Sequence, residues 1–405
     1  MLITATRMLT GPAGRVTTDG AVLVRGATIA AAGPRAEVAR LADPGEPVSD
    51  HPGATLLPGL VNGHVHLSLD ASPDPVGGLR AAGAEALEAD MTERAARLVR
   101  AGITTVRDLG DRGGAALRLR ARIAGGEVPG PRLLTSGAPL TPPGGHCWFF
   151  GGEVADERAA LDAVRRHAEA GVDLIKVVAS GGHLTAGAAR MWESQFSAAE
   201  LRRIVGEAHR LGLPVAVHAH GTESIAAAVD AGVDTIEHCT WMDGSGRLER
   251  RDDVAARMAA RGIAACCTTC GPDWRGTLAS RGPRETRETY GRLAWMAECG
   301  VPLLPGTDAG VSQSGFDGMT GLLELYHWLG FSTARVLELA TTGAARLIGL
   351  GATTGLIAPG FDADLLVVDG DPLADLGALR RVRLVVARGR VSTPAGDVAA
   401  GHPAP

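Results

Sequence analysis

Two histidines one residue apart, His64 and His66, stand in the apolar segment PGLVNGHVHL. In an extended chain alternate side chains share a face, so both imidazoles point the same way and could hold one metal ion between them. Taken alone, the pair reads more readily as two core histidines. Four further residues change that balance. Lys176 interrupts the apolar run DLIKVVASGG, where a buried ammonium is costly unless its charge is removed or paired. His218 lies in VAVHAH, His238 in TIEHC and Asp308 at the end of LLPGTD. Imidazoles with a carboxylate suit zinc or a similar divalent cation, and such a cation activates water for hydrolysis.

The elements that must position these side chains are readable as alternation. Candidate strands cover residues 56–67, 103–109, 132–137, 174–180, 215–220, 235–239, 263–268 and 301–308. Helical patterns separate them. In SAAELRRIVGEAHRLG, Ser197 is placed as N-cap with Glu200 at the capping-box position. Leu201, Ile204, Val205 and Ala208 follow at helical spacing, and Gly212 ends the helix. Eight β/α alternations predict a (β/α)8 TIM barrel in the α/β class, although alternation alone also fits an open doubly wound sheet. The six polar residues then fall at the C-terminal ends of strands, where barrel enzymes carry their reactive groups. The chain ends differ from the middle: residues 1–54 and 355–395 read as short strands and turns, with too little apolar surface to stand alone. We therefore expect a small β-sandwich built from both ends (residues 1–57 and 350–405) beside a barrel of residues 58–349, with residues 396–405 as a frayed tail.

A formal net charge of -5 gives no reason to expect nucleic acid or an anionic membrane as partner. No stretch approaches the roughly 18 uninterrupted apolar residues of a membrane span, and residues 1–15 lack the pattern of a secretory signal. The six cysteines lie mid-chain, and a chain of this size needs no disulfide staples, so a reducing, cytoplasmic setting is expected. Cys267 and Cys270 form a single C-x-x-C without a second pair or a redox context, which reads as small residues at a barrel rim.

PGLVNGHVHL, GVDLIKVVASGG, PVAVHAHG, GVDTIEHC, GTDAG and PGFDADLLVVDGDPL together resemble the amidohydrolase superfamily over nearly the whole chain. The Lys176 segment with HAHG and IEH resembles the branch of Xaa-Pro dipeptidases, neighbouring imidazolonepropionases. The resemblance implies two divalent metal ions, zinc being the expected species, and a carbamate on Lys176 that bridges them. His64, His66 and Asp308 would hold one ion, and His218 and His238 the other. A hydroxide shared by the metals would attack the amide carbonyl while Asp308, the catalytic residue, takes and returns the proton. A histidine near substrate is also implied at His146.

The chain departs from that pattern at His183 in SGGHLT, at Cys239 where glycine is usual, and at the aromatic triplet Trp148, Phe149 and Phe150. These departures bear on substrate rather than metal. We expect His146, Trp148 and His183 to be substrate contacts, with the triplet lining an apolar pocket. His220 shares a face with His218 and is expected to orient the site, whereas Glu237 is expected to point away from it, in a structural role. The predicted activity is hydrolysis of an amide, in a dipeptide (Xaa-Pro or similar) or an N-acyl amino acid. The alternatives are a mononuclear deaminase or cyclic-amide hydrolase with unmodified Lys176, and a non-catalytic barrel, which would be expected to lack ligands that are all present. The expected partner is a small amide or peptide, with neither nucleic acid nor membrane, and a homo-oligomer is expected.

Overall fold

The computed structural model describes residues 1–11, 15–268 and 274–392. Cys270 and the tail 396–405 lie outside the described residues. The strands in chain order are β1 (Leu2–Leu9), β2 (Val16–Arg25), β3 (Thr28–Pro34), β4 (Val48–Pro58), β5 (Leu60–Val65), β6 (Ile103–Asp108) and β7 (Arg132–Thr135). They continue as β8 (Ile175–Val178), β9 (Val215–Gly221), β10 (Thr235–Met242), β11 (Ala264–Cys266), β12 (Leu365–Asp369), β13 (Val382–Ala387) and β14 (Arg390–Ser392).

The chain ends interleave in one seven-stranded sheet of order β14-β13-β12-β4-β1-β2-β3. β4 is its seam, pairing parallel with β1 and antiparallel with β12. Strand alternation explains why neither end suffices alone. Leu56, Leu365, Val367, Leu384 and Val386 pack into a cluster with Ile3, Val22 and Ile29. Their neighbours Leu57, Leu366, Val368 and Val385 join the main core of the barrel. The sheet thus buries one set of side chains on itself and the other against the barrel, the composite β-domain expected from the two ends.

The run 56–67, expected as one strand, is divided between the two domains. β4 ends at Pro58 and β5 starts at Leu60. Gly59 allows the passage: a Cβ there would stand 2.1 Å from the Thr104 hydroxyl.

β5-β6-β7 and β8-β9-β10-β11 form the two parallel arcs of the barrel. Leu140 joins the arcs by donating its N–H to Lys176 O (2.8 Å) and accepting from Val178 N (2.9 Å). The eighth stave differs from expectation. Residues 301–309 contribute bridges rather than a regular strand, pairing Leu303 with Ala265, Gly306 with Thr268 and Ala309 with Val65. Pro302 and Pro305 supply the reason, because neither has an N–H to donate to a ladder. Gly63 N→Pro305 O (2.8 Å), Asp308 N→His64 O (2.9 Å) and His66 N→Ala309 O (2.8 Å) nevertheless close the ring beside β5.

The helices form the outer layer. Ala198–Arg210 carries the full capping box, with the Ser197 hydroxyl accepting from Glu200 N (3.2 Å) and the Glu200 carboxylate accepting from Ser197 N (2.8 Å). Its buried residues are Leu201, Ile204, Val205 and Ala208, the stripe read from spacing. Among the described residues no helix is long and apolar enough to cross a membrane.

Candidate metal centre

β5 presents His64 from its interior face, and His66 follows just beyond its end. Asn62, one alternation before His64, ties this strand to the eighth segment. It donates to the Thr307 hydroxyl (2.7 Å) and accepts from Thr307 N (3.1 Å) and His64 N (3.2 Å). Two residues beyond Gly306, Asp308 reaches the histidines. Only glycine fits at 306, because a Cβ there would stand 2.7 Å from that of His64 and 2.6 Å from the Cys266 sulfur. His64 Nε2 lies 3.3 Å from His66 Nε2, and Asp308 Oδ1 lies 3.3 Å and 3.4 Å from the two nitrogens.

The hydrogen-bond partners assign the imidazole hydrogens. His66 Nδ1 faces the carbonyl of Gly110 at 3.3 Å, an acceptor only, and His64 Nδ1 faces the Glu237 carboxylate at 2.8 Å. Both Nε2 atoms are left with lone pairs directed at each other and at a carboxylate oxygen. Such a convergence of electron pairs suits a cation held between them. Burial, outweighing the nearby Asp308 charge, pushes His66 down to about 3, so its ring is neutral and available as a ligand.

A second group faces the first. Ring nitrogens of His218 and His220 on β9 and His238 on β10 lie within 4.8 Å of one another, as do the donor atoms of His64, His66 and Asp308. Burial, reinforced by the neighbouring imidazoles, holds all three rings well below the ordinary histidine range. His218 Nε2 is 3.0 Å from Gly181 O, His220 Nδ1 is 2.7 Å from the Thr240 hydroxyl, and His238 Nδ1 is 2.6 Å from that of Thr268. The groups abut: the His64 and His238 rings are 5.2 Å apart, and Asp308 Oδ2 is 3.8 Å from His238 Nδ1.

Lys176 on β8 belongs to the same interior. Ile175 and Val177 pack into the main core, so alternation turns the lysine the other way. It is 4% exposed, and its Nζ has no hydrogen-bond partner among the described residues. Burial lowers its pKa, with the charges of Glu237 and Asp308 opposing that shift.

Backbone strain marks the same rim. His238 (φ 65°), Cys239 (φ 47°), Trp241 (φ 61°) and Asp308 (φ 55°) all adopt the left-handed region that non-glycine residues avoid. The turn at His238 overrides the alternation from which Glu237 was expected to face away. Glu237 shares a face with Thr235 and contacts His64, while the left-handed φ at His238 leaves its ring on the same side, 5.2 Å from that of His64. His220, expected to orient the site, sits within the three-imidazole group itself.

The expected substrate contacts separate. His146 is buried, 3.1 Å from the Thr185 hydroxyl through Nδ1, with its ring 5.0 Å from that of His218. Phe150 stacks on His66 at 5.5 Å, whereas Trp148 is 36% exposed and lies under the Arg80 guanidinium. His183 is also exposed. Asn62 and Arg107 were not singled out from sequence; an asparagine and an arginine inside apolar strands were the available signals. The described cysteines are free thiols. Burial pushes Cys147 and Cys267 up to about 12, so neither is a nucleophile near neutral pH.

Residues 55–392 match the amidohydrolase family. The chain belongs to that family. Ochratoxinase of Aspergillus niger is 28% identical over 373 residues, covering 83% of this chain and 75% of the relative. Imidazolonepropionase of Micrococcus luteus is 28% identical over 391 residues, covering 88% of this chain and 89% of the relative. The crystal structure of a Xaa-Pro dipeptidase with bound methionine has a TM-score of 0.81 and 27% identity, across 97% of this chain and 99% of that one. With the buried histidine and carboxylate cluster, family membership makes this amidohydrolase a metal-dependent hydrolase of carbon–nitrogen bonds.

Proposed function

We propose that the chain is a binuclear amidohydrolase cleaving the amide of a small substrate that ends in a carboxylate, a dipeptide such as Xaa-Pro or an N-acyl amino acid. The observation that carries this reading is Lys176, a buried amine without a partner among the described residues, whose charge bears on both His66 and His238. An amine so placed is costly as a cation. As a carbamate it would become an anion between two sets of ligands. The donor set fits zinc: His64, His66 and Asp308 would hold one ion, His218 and His238 a second, and modified Lys176 would serve both. His220 adjoins the second set. Two bound ions would lower the pKa of water and polarise the scissile carbonyl.

The chain's own groups supply the rest. Asp308 stands between the histidine sets and is the group placed to take a proton from water and return it to the leaving nitrogen. Phe150 braces His66 and, with the buried Phe149, makes that side of the site apolar. His146, with Nδ1 engaged by Thr185, can present Nε2 toward substrate, and Trp148 and His183 stand further out as contacts for a longer one. The Xaa-Pro dipeptidase likeness supports a peptide substrate, and the ochratoxinase relative, named for a different substrate, supports keeping the wider amide class open. The free thiols suit a reducing, cytoplasmic setting, and we infer a homo-oligomer.

The imidazolonepropionase relative favours a second reading, a mononuclear cyclic-amide hydrolase with a bare Lys176 amine. One experiment separates the two. Lys176→Ala should lose activity and regain part of it with short carboxylic acids that stand in for the carbamate. Full activity in the variant would remove the binuclear reading. A screen of zinc-loaded protein against Xaa-Pro and Xaa-Arg dipeptides, N-acyl amino acids, lactams and aryl esters should give turnover on the first two classes. Turnover on lactams alone would select the second reading.

A further inference from the structure

Below the rim lies a charged group with no part in the reaction just described. Glu237 is fully buried, and a buried carboxylate is costly unless cations and donors meet it. Its two oxygens are used differently. Oε1 accepts from Arg107 Nη2 (2.7 Å) and the Thr235 hydroxyl (2.6 Å), while Oε2 meets His64 Nδ1 at 2.8 Å. Arg107 is itself buried and fixed, donating through Nε to Gly63 O (2.8 Å) and through Nη1 to Thr235 (3.0 Å). One oxygen thus anchors the carboxylate to the barrel interior, and the other is given to the histidine.

With Arg107 Nη2 and the Thr235 hydroxyl both donating to Oε1, the carboxylate presents Oε2 to His64 Nδ1 as an acceptor. The His64 hydrogen is confined to Nδ1, and the Nε2 lone pair is aimed toward His66 Nε2 and Asp308 Oδ1, each 3.3 Å away. Cys266 Sγ shares this neighbourhood, within 4.8 Å of the His64 and Glu237 donor atoms.

We propose that Glu237, held from behind by Arg107, is a positioning residue of the metal centre that fixes the tautomer and ring angle of His64 and strengthens Nε2 as a donor to a divalent cation. The proposal rests on the reading of His64 as a metal ligand. A carboxylate on the far nitrogen of a ligating imidazole raises its basicity, and losing it weakens metal binding by about 10- to 100-fold.

The test is zinc affinity by competition with a chromogenic chelator, read beside the melting temperature of the metal-free protein. Glu237→Gln keeps the shape and removes the charge. The expected result is an apo fold that melts like wild type with zinc bound about 10- to 100-fold more weakly. If a stranded Arg107 unfolds that variant, R107M/E237Q removes both charges and should show the same loss. In folded wild-type protein, imidazole nitrogen-15 shifts should place the His64 hydrogen on Nδ1. Wild-type zinc affinity in either folded variant, or a hydrogen on Nε2, would overturn the proposal. Wild-type protein that takes up no zinc would overturn the metal-centre reading beneath it, a different and separately visible failure.

Discussion

Two clusters of charged and polar side chains among the described residues are built on opposite rules. At the junction of sheet and barrel, the Asp364 carboxylate is surrounded by donors. Its Oδ2 accepts from Arg132 Nη2 (3.1 Å) and the Thr354 hydroxyl (2.8 Å), and its Oδ1 from Arg388 N (2.8 Å). Asp362 takes the same guanidinium at 2.5 Å. At the rim, by contrast, the Nε2 atoms of His64 and His66 turn toward one another at 3.3 Å, and Lys176 Nζ has no partner among the described residues. A carboxylate met by donors from three segments holds parts of a fold together. Groups whose electron pairs converge without a donor, beside an amine without an acceptor, await a ligand. Both clusters lie in motifs that carried the family resemblance, PGFDAD and the histidine segments, and only geometry separates the structural motif from the reactive one.

The sharpest break between the clusters should come at Lys176. Lys176→Ala is expected to cost more than the about 10- to 100-fold that losing an outer partner of a metal ligand costs in activity. Stability of the metal-free protein should not fall, because the change removes a buried amine that has no hydrogen-bond partner among the described residues. Activity assays and urea unfolding on one preparation check both halves. A large loss of apo stability would place Lys176 with the junction instead.

Acid should also distinguish the regions. His66 and His146 titrate at about 3 and about 4 in the folded protein, both pushed down chiefly by burial, against about 6.5 when unfolded. Between those values the unfolded chain binds more protons, so apo stability is full above about pH 6.5 and falls as pH drops below it. At pH 5 the loss is about 2 kcal/mol for each histidine. Urea midpoints of metal-free protein at pH 7 and pH 5 measure it, and an unchanged midpoint would mean that these rings are not buried as neutral groups.

The junction predicts the converse pattern. Asp364→Ala leaves Arg132 with Asp362 alone and takes the acceptor from the Thr354 hydroxyl and Arg388 N; it should cost about 1–3 kcal/mol of stability, while kcat/KM of the protein that remains folded stays at the wild-type value. A selective loss of activity would break the contrast between the clusters. Smaller still, Ser197→Ala removes a helix cap remote from both and should cost about 1 kcal/mol with no change in activity.

Much of the molecule is legible in its residues alone, for physical reasons. Residue type and strand position draw attention to His64, His66, Lys176, His218, His238 and Asp308, because such polar groups inside apolar segments are costly to bury unless a ligand or partner meets them, and the structure brings them to one buried interior. The alternation of Leu365, Leu366, Val367 and Val368 likewise announces a strand buried on both faces. What escapes depends on backbone conformation or on partners distant in sequence. Glu237 is expected on the wrong face because period-two reasoning assumes extended φ, and His238 at φ 65° breaks that period. The division at Gly59 depends on Thr104, and the bridged eighth segment on two prolines whose effect on pairing outweighs its apolar content. Arg107 gains its meaning only from Glu237, 130 residues away in the chain.

A crystal structure of the zinc-loaded protein tests the central claim most directly. We expect two ions, one within reach of His64, His66 and Asp308 and one within reach of His218 and His238, with density extending from Lys176 Nζ as a carbamate between them. A single ion beside a bare lysine amine would contradict the binuclear account and leave the mononuclear hydrolase in its place.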